Sequence, residues 1–188
     1  LYEDAGSYRD EVTLNRYGVN PTMAWVPTAG TTLRVGYEYF HDERVADRGI
    51  SSFQGRPVST DASTFFGDPT QSYAEVKVNA LFAILEHKIT NRISVRSNTR
   101  FSNYDKVYQN VYPGAVNTTG TSVSISAYRN ATKRDNLINQ TDIVSVFETG
   151  SVKHQVLTGM ELARQVTDNE RKTKTEERRV GKECKTRW

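Results

Sequence analysis

Two long polar segments, 42–72 and 105–134, hold arginine and aromatic side chains that suit the binding of an anionic, aromatic ligand. Guanidinium groups donate paired hydrogen bonds to anions, and aromatic rings stack on flat ligands. The sequence contains no nucleophile–base pair, phosphate-binding loop or dinucleotide fingerprint, so we expect binding rather than enzymatic catalysis. The candidate ligand-binding residues are Arg48, Phe53, Arg56, Phe65, Phe66, Tyr108 and Tyr112.

A packing role is the alternative interpretation of the aromatic residues in this set. Large aromatic side chains mostly serve burial in folded proteins. Phe65, Phe66 and Tyr112 could therefore fix the two segments by packing on each other rather than by touching a ligand.

The histidines do not form a metal-binding pattern. His87 and His154 each lie close to a short turn, whereas His41 lies at the start of the first long segment. A metal site built from the three imidazoles is therefore not expected. We predict neither a metal site nor a cofactor.

Three short polar turns define the elements that position the long segments. The turns are Thr28–Gly30, Thr90–Asn91 and Thr149–Ser151, and each joins two long stretches of alternating polar and apolar residues. Short turns at one end, long loops at the other and strands of about ten residues are typical of an outer-membrane β-barrel.

The alternation predicts an all-β fold, namely a fragment of an antiparallel up-and-down transmembrane β-barrel with about six strands in three hairpins. Pro21 lies inside the first strand and indicates a bulge there. Residues 1–13 are polar and are expected to end a loop. The predicted strands are 14–26, 31–41, 73–87, 92–104, 135–147 and 152–165.

Charged side chains at alternate positions indicate which face of the strands avoids lipid. Arg96 and Arg100 share one face of the fourth predicted strand with serine and asparagine. An arginine at mid-bilayer costs about 2–4 kcal/mol, so this face should line the water-filled lumen. The same alternation in the second predicted strand assigns Arg34 and Glu38 to the lumen wall.

Composition fits this fold and argues against other classes. The chain has 188 residues, is 36% hydrophobic and has a mean hydropathy of −0.64. It contains no apolar run of the roughly eighteen residues that a membrane-spanning helix needs. The net charge of +3 arises in residues 169–188, which hold eight Lys or Arg and four Glu. The rest is not basic, so we expect no nucleic-acid partner.

Both ends of the chain are expected to be incomplete. The sequence has no starting Met and no signal peptide, which an exported barrel would carry. The stretch Glu176–Cys184 resembles the translation of a sequencing-library adapter, and the β-alternation stops near Thr167. We therefore expect a partial barrel over residues 1–171 and a non-native tail without order over residues 172–188. A solvated interaction tail is the alternative.

Several short motifs share their order and spacing with one family of known proteins. They are Tyr17–Thr22 followed by Trp25–Pro27, Gly36–Tyr39, Gly55–Pro57, Phe65–Gly67 and His154–Glu161. Together they resemble the TonB-dependent siderophore receptors, and the last is similar to the family's H-x-L-L-x-G-x-E strand. The resemblance covers residues 1–170.

The resemblance implies a receptor of the Gram-negative cell outer membrane, with a barrel of about 22 strands closed by an N-terminal plug domain. Its implied partners are a ferric siderophore as the transported ligand, the outer-membrane lipid, and TonB acting through a plug domain that this chain lacks. Ferric siderophores are often anionic and aromatic, so the seven candidate residues would contact one. No cofactor is implied.

Other functions are compatible with the same residues. Receptors of this family also take up cobalamin, other metal chelates and sugars, which barrel strands discriminate poorly. A passive porin or an adhesin would share the barrel, although without a plug domain. A soluble β-sandwich would have shorter strands and more polar outward faces.

Overall fold

The computed structural model describes residues 1–179 and contains only strands, turns and loops over that range. None of the described residues lies in a helix that is long and apolar enough to span a membrane. The strands are β1 (Tyr2–Gly6), β2 (Thr13–Val19), β3 (Thr22–Thr28), β4 (Thr31–Val45), β5 (Ser52–Phe53), β6 (Arg56–Pro57), β7 (Tyr73–Lys88), β8 (Ile93–Val116), β9 (Ser122–Thr149) and β10 (Val152–Arg179).

Eight of these strands form one antiparallel sheet. Its order is β1-β2-β4-β7-β8-β9-β10, and β3 pairs with β4 next to β2. The strands follow one another up and down, and the sheet does not close on itself. The predicted fold class is therefore confirmed, and the alternative of a β-sandwich is wrong because the second sheet among the described residues is only the two-stranded pair β5–β6.

The predicted short turns join three of the strand pairs at one end of the sheet, which we call the turn end. They connect β3 to β4, β7 to β8 and β9 to β10. At the opposite end, the loop end, residues 46–72 connect β4 to β7 and residues 117–121 connect β8 to β9. The β5–β6 hairpin lies within the first of these connections.

The prediction of a long loop over residues 105–134 is wrong. β8 and β9 continue to pair from Tyr104 opposite Arg134 as far as Val116 opposite Val123. The tyrosines, asparagines and Pro113 in this region suggested a loop, but residues 122–127 still alternate between serine and apolar side chains. The hairpin tolerates Pro113 because the register shifts between Pro113 and Val116, as at a β-bulge.

Two further differences concern the start of the chain. The first predicted strand is divided at Asn20 and Pro21 into β2 and β3, which both pair with β4. The predicted loop at residues 1–13 contains β1, which pairs with β2 at the edge of the sheet.

The expectation of a tail without order from residue 172 is wrong for residues 172–179. β10 continues through Arg179 and pairs with β9 over its whole length. Just before this segment, Arg129 of β9 lies 3.0 Å from Glu170 of β10. Residues 180–188 lie outside the part of the chain that the structure describes.

The sheet leaves one apolar surface exposed. Buried apolar side chains cluster near the loop end, whereas large apolar residues elsewhere on the sheet remain exposed. A surface of this kind normally contacts lipid or another protein. Its exposed residues include Leu81, Phe101, Leu137, Met160 and Leu162.

We expect residues 1–188, expressed alone, to aggregate in aqueous buffer. β1 and β10 each leave an unpaired edge, and the apolar surface has no cover. Size-exclusion chromatography and sedimentation should show large, polydisperse particles that disperse only in detergent. A soluble monomer with a sharp, reversible melting transition would contradict this expectation.

Candidate ligand-binding face

The four residues predicted to line the lumen lie on one face of the sheet, which we call the inner face. Glu86 links Arg34 and Arg96, with N–O distances of 3.1 and 3.6 Å. Arg100 lies 3.4 Å from Glu38. The structure thus brings these side chains together as ion pairs along the wall, while their place in a lumen stays a prediction. The opposite face, called the outer face, carries most of the exposed large apolar residues.

Nearer the loop end, three tyrosines of the β8–β9 hairpin pack together on the inner face. The ring centroid of Tyr128 is 5.7 Å from that of Tyr108 and 5.5 Å from that of Tyr112. Both pairs are nearly perpendicular, the edge-to-face geometry that aromatic rings favour. Alternation along each strand places the rings together, because Tyr128 lies opposite Asn110, between the two other tyrosines.

Arginines from two distant parts of the chain reach Tyr128. The Arg48 guanidinium donates hydrogen bonds to the Tyr128 hydroxyl and, over 3.2 Å, to Oδ1 of Asn110. Its Cζ lies 5.8 Å from the centre of the Tyr128 ring, and the Cζ of Arg171 lies 5.7 Å from that centre. Both are cation–π distances, so Tyr128 is the centre of the cluster.

A shallow cavity of about 410 Å³ adjoins the tyrosines on the turn-end side. Lys106 enters it with its Nζ 5.3 Å from the centre of the Tyr108 ring. Arg134 contributes a second cation and donates a hydrogen bond from Nε to the Thr167 hydroxyl over 3.1 Å. The lining residues are Val76, Tyr104, Lys106, Tyr108, Asn130, Thr132, Arg134 and Asn136.

The charges on the two faces of this region differ. On β8, β9 and β10, from the level of Ser102 to the loop end, the inner-face positions with described side chains include Lys106, Arg134 and Arg171 and no carboxylate. At the same level, the outer face carries mixed charges that pair with each other, as Lys133 does with Asp105 at 3.8 Å. The inner face of these three strands is therefore positive. On β4, Asp42 lies on the same face at the level of Lys106, where it pairs with Arg44 at 2.6 Å.

The seven candidate ligand residues fall into different places. Arg48, Tyr108 and Tyr112 join the inner-face cluster. Phe66 is buried with Val58, Val111, Val123 and Ile125, and Phe53 packs against the same group. Arg56 is exposed in the β5–β6 hairpin, and Phe65 is partly buried near Gly67. The buried positions of the phenylalanines favour the packing interpretation for Phe53 and Phe66, while the ligand contacts stay a prediction.

Sequence reasoning missed Tyr128, Lys106, Arg134 and Arg171. Tyr128, Lys106 and Arg134 fell within or at the end of the predicted loop, where alternation does not assign side chains to faces. Arg171 fell at the boundary of the predicted tail. The period-two pattern Lys106, Tyr108, Asn110, Tyr112 was a usable signal, because it puts four polar side chains on one face of an extended strand.

The loop at residues 46–72 covers the edge of β8 that β7 leaves unpaired beyond Gln109. The hydroxyl of Ser72, which is fully buried, donates to the Val111 carbonyl and accepts from the Val111 N–H, at 3.2 and 3.1 Å. The Ser51 hydroxyl donates to the Gly114 carbonyl over 2.6 Å. These bonds satisfy backbone groups that an exposed edge would leave free.

The fold and the two faces define a class of protein, namely a portion of the wall of a transmembrane β-barrel. No family model matches the sequence. Two curated relatives are the catecholate siderophore receptor Fiu of Escherichia coli strain K12 and the metal-pseudopaline receptor CntO of Pseudomonas aeruginosa strain PAO1. Each is 29% identical to this chain and matches 88% of it, which is 24% of the length of Fiu and 23% of that of CntO.

The crystal structure of the ferric-catecholate import receptor Fiu from E. coli K12 in its open form has a TM-score of 0.76 to this chain. The match has 24% identity and covers 88% of this chain and 29% of the receptor chain. These similarities confirm the resemblance to the TonB-dependent siderophore receptors, and the sheet has the fold of part of their barrel. The chain spans about a quarter of the length of the curated relatives it matches.

Replacing Gly67 with valine should loosen the loop at residues 46–72. A Cβ at this position would collide with the carbonyl oxygen of Val111, so the loop would have to leave the β8 edge. Overpacking of this kind costs about 1–3 kcal/mol. In outer membranes containing the protein expressed from its complete gene, chymotrypsin should cleave the variant faster after Phe53 and Phe65.

Gly6→Val is the matched control, because a Cβ at Gly6 meets nothing nearer than 4.0 Å. Unchanged cleavage in the Gly67 variant, or equal acceleration in the control, would show that Val111 does not fix the loop.

Proposed function

We propose that this chain forms part of an outer-membrane receptor that binds ferric siderophores and imports them with energy supplied through TonB. The observation that carries the proposal is the inner-face cluster, where Tyr108, Tyr112 and Tyr128 lie among Arg48, Lys106, Arg134 and Arg171. Binding and transport, not catalysis, would be its chemistry.

The chemistry of a ferric catecholate fits this cluster. Coordination of iron(III) by several catecholate groups leaves a net negative charge and exposes aromatic rings around the metal. Arg48, Lys106 and Arg171 would attract the charge, and they already lie beside tyrosine rings on which a ligand ring could stack. On β8, β9 and β10 no described inner-face residue of this region is a carboxylate, and the nearby Asp42 of β4 is paired with Arg44, which limits repulsion of an anion.

The outer face supplies the second part of the proposal. Its exposed apolar side chains, such as Leu81 and Leu162, would contact the hydrocarbon of the outer membrane. This arrangement puts the short turns at the periplasmic end and the loop end outside the cell, where a siderophore arrives. The coupling to TonB would act through a plug domain.

A different metal chelate is the second candidate ligand. The relative CntO is named for metal-pseudopaline and is as similar to this chain as Fiu is. Cobalamin and sugars fit the positive surface less well, because neither needs several cations beside aromatic rings. A passive porin or an adhesin would use the same barrel without TonB.

The test is iron uptake by cells that carry the protein expressed from its complete gene, in a Gram-negative strain without its own siderophore receptors. We expect these cells to accumulate radioactive iron from a ferric complex of dihydroxybenzoate, and we expect deletion of TonB to stop the accumulation. Uptake that persists without TonB would instead indicate a passive pore. Uptake of a ferric chelate without catechol groups, in place of the catecholate, would identify the second candidate.

Replacing Lys106 or Arg171 with methionine should weaken binding of the ferric dihydroxybenzoate complex by about tenfold, because each replacement removes a charge-assisted contact. The dissociation constant can be measured on outer membranes with radioactive iron. Lys133→Met is the matched control, since Lys133 lies on the outer face of the same hairpin and pairs with Asp105. An equal loss in the control would contradict an inner-face site.

A further inference from the structure

Arg9, in the turn between β1 and β2, connects that turn to the loop at residues 46–72. Its side chain is only 9% exposed. The Nη1 atom donates to the carbonyls of Ala62 and Thr64 over 2.7 and 3.1 Å, and Nε donates to Oδ2 of Asp47 over 2.9 Å. One guanidinium thus holds both the start and the far part of a loop that is distant in sequence.

Asp47 is fixed from two sides. While Oδ2 accepts from Arg9, Oδ1 accepts the backbone N–H of Gly49 over 2.9 Å. The residue between them in sequence is Arg48, so the backbone on both sides of Arg48 is tied to one carboxylate. Asp47 thus constrains the backbone from which the Arg48 side chain leaves, and Arg9 binds the second oxygen of its carboxylate.

Arg48 is also the one cation of the inner-face cluster that comes from a loop. Lys106, Arg134 and Arg171 lie on β8, β9 and β10, where the backbone ladder fixes their positions. No ladder fixes Arg48, although it must reach Tyr128, 80 residues along the chain. Some other contact must set its position.

We propose that Arg9 is a positioning residue of the ligand site, which through Asp47 holds Arg48 against Tyr128. This proposal rests on the function proposed above for the inner face, and it extends the site to a turn that touches no part of the cluster. Arg9 would contribute to affinity without meeting the ligand. A substitution at Arg9 should therefore act only through Arg48.

A double-mutant cycle tests this dependence. With the protein expressed from its complete gene in outer membranes, we expect Arg9→Met to raise the dissociation constant of the ferric dihydroxybenzoate complex by about tenfold. The same substitution should cause no further loss in an Arg48→Met background, whereas in a Lys106→Met background the full loss should remain. Asp47→Asn, which keeps the size of the side chain, should reproduce the effect of Arg9→Met.

An equal loss from Arg9→Met in the Arg48→Met background would overturn the proposal, because Arg9 would then act on the site by another route. No loss in the wild-type background would overturn it as well. If the wild-type protein binds no ferric catecholate, the assignment of a catecholate ligand fails, and a measurement that needs no ligand decides the role of Arg9.

That measurement is cleavage by trypsin after Arg48. Trypsin must take the Arg48 side chain into its own pocket, so contact with Tyr128 protects the bond. Arg9→Met should raise this cleavage rate by about tenfold if the contact is lost. Chymotrypsin cleavage after Phe53, which lies away from the three loop residues that Arg9 contacts, reports on the rest of the loop and should change little.

Two outcomes would count against positioning. An unchanged rate after Arg48 would show that Arg9 does not hold it. A parallel rise after Arg48 and Phe53 would show that Arg9 stabilises the whole loop rather than the direction of Arg48.

Discussion

Period-two alternation along the strands is the constraint on which the rest of the structure depends. Each strand from β4 to β10 in the main sheet sends neighbouring side chains to opposite faces, and these faces have different chemistry. The outer face exposes apolar residues such as Leu81 and Phe101, whereas the inner face carries Arg96, Arg100 and their partners. A shift of register by one residue would move each set of side chains to the opposite face. The register therefore determines which side chains face outward and which face inward.

The unequal lengths of the strands create the second main feature. The first residue of β7, Tyr73, pairs with Gln109 of β8. Beyond Gln109, β8 continues to Val116 and pairs only with β9, which begins at Ser122. The hairpin therefore rises beyond its neighbour and has an edge with free backbone groups. Residues 46–72 cover that edge by hydrogen bonds and by a small apolar cluster. The same covering segment brings Arg48 to the tyrosines, so the loop serves both the fold and the candidate site.

Much of this arrangement could be predicted from the sequence, because short turns and alternating faces are local patterns. The turns and the assignment of Arg34, Glu38, Arg96 and Arg100 to one face needed no knowledge of the fold. Strand length beyond the turns was not predictable in this way, since tyrosine, asparagine and glycine occur in loops and in extended hairpins alike. The contact of Arg48 with Tyr128 depends on the path of the loop across the hairpin. That path cannot be predicted from the local sequence pattern.

The position of the three tyrosines on paired strands has a consequence for the energetics of recognition. A side chain on a free loop loses conformational entropy when a ligand fixes it, which weakens binding. Tyr108, Tyr112 and Tyr128 have lost most of that freedom on folding, because the ladder fixes their backbone and the rings fix one another. The surface is therefore preorganised, and the loop that carries Arg48 is where sequence changes could alter selectivity without disturbing the barrel wall.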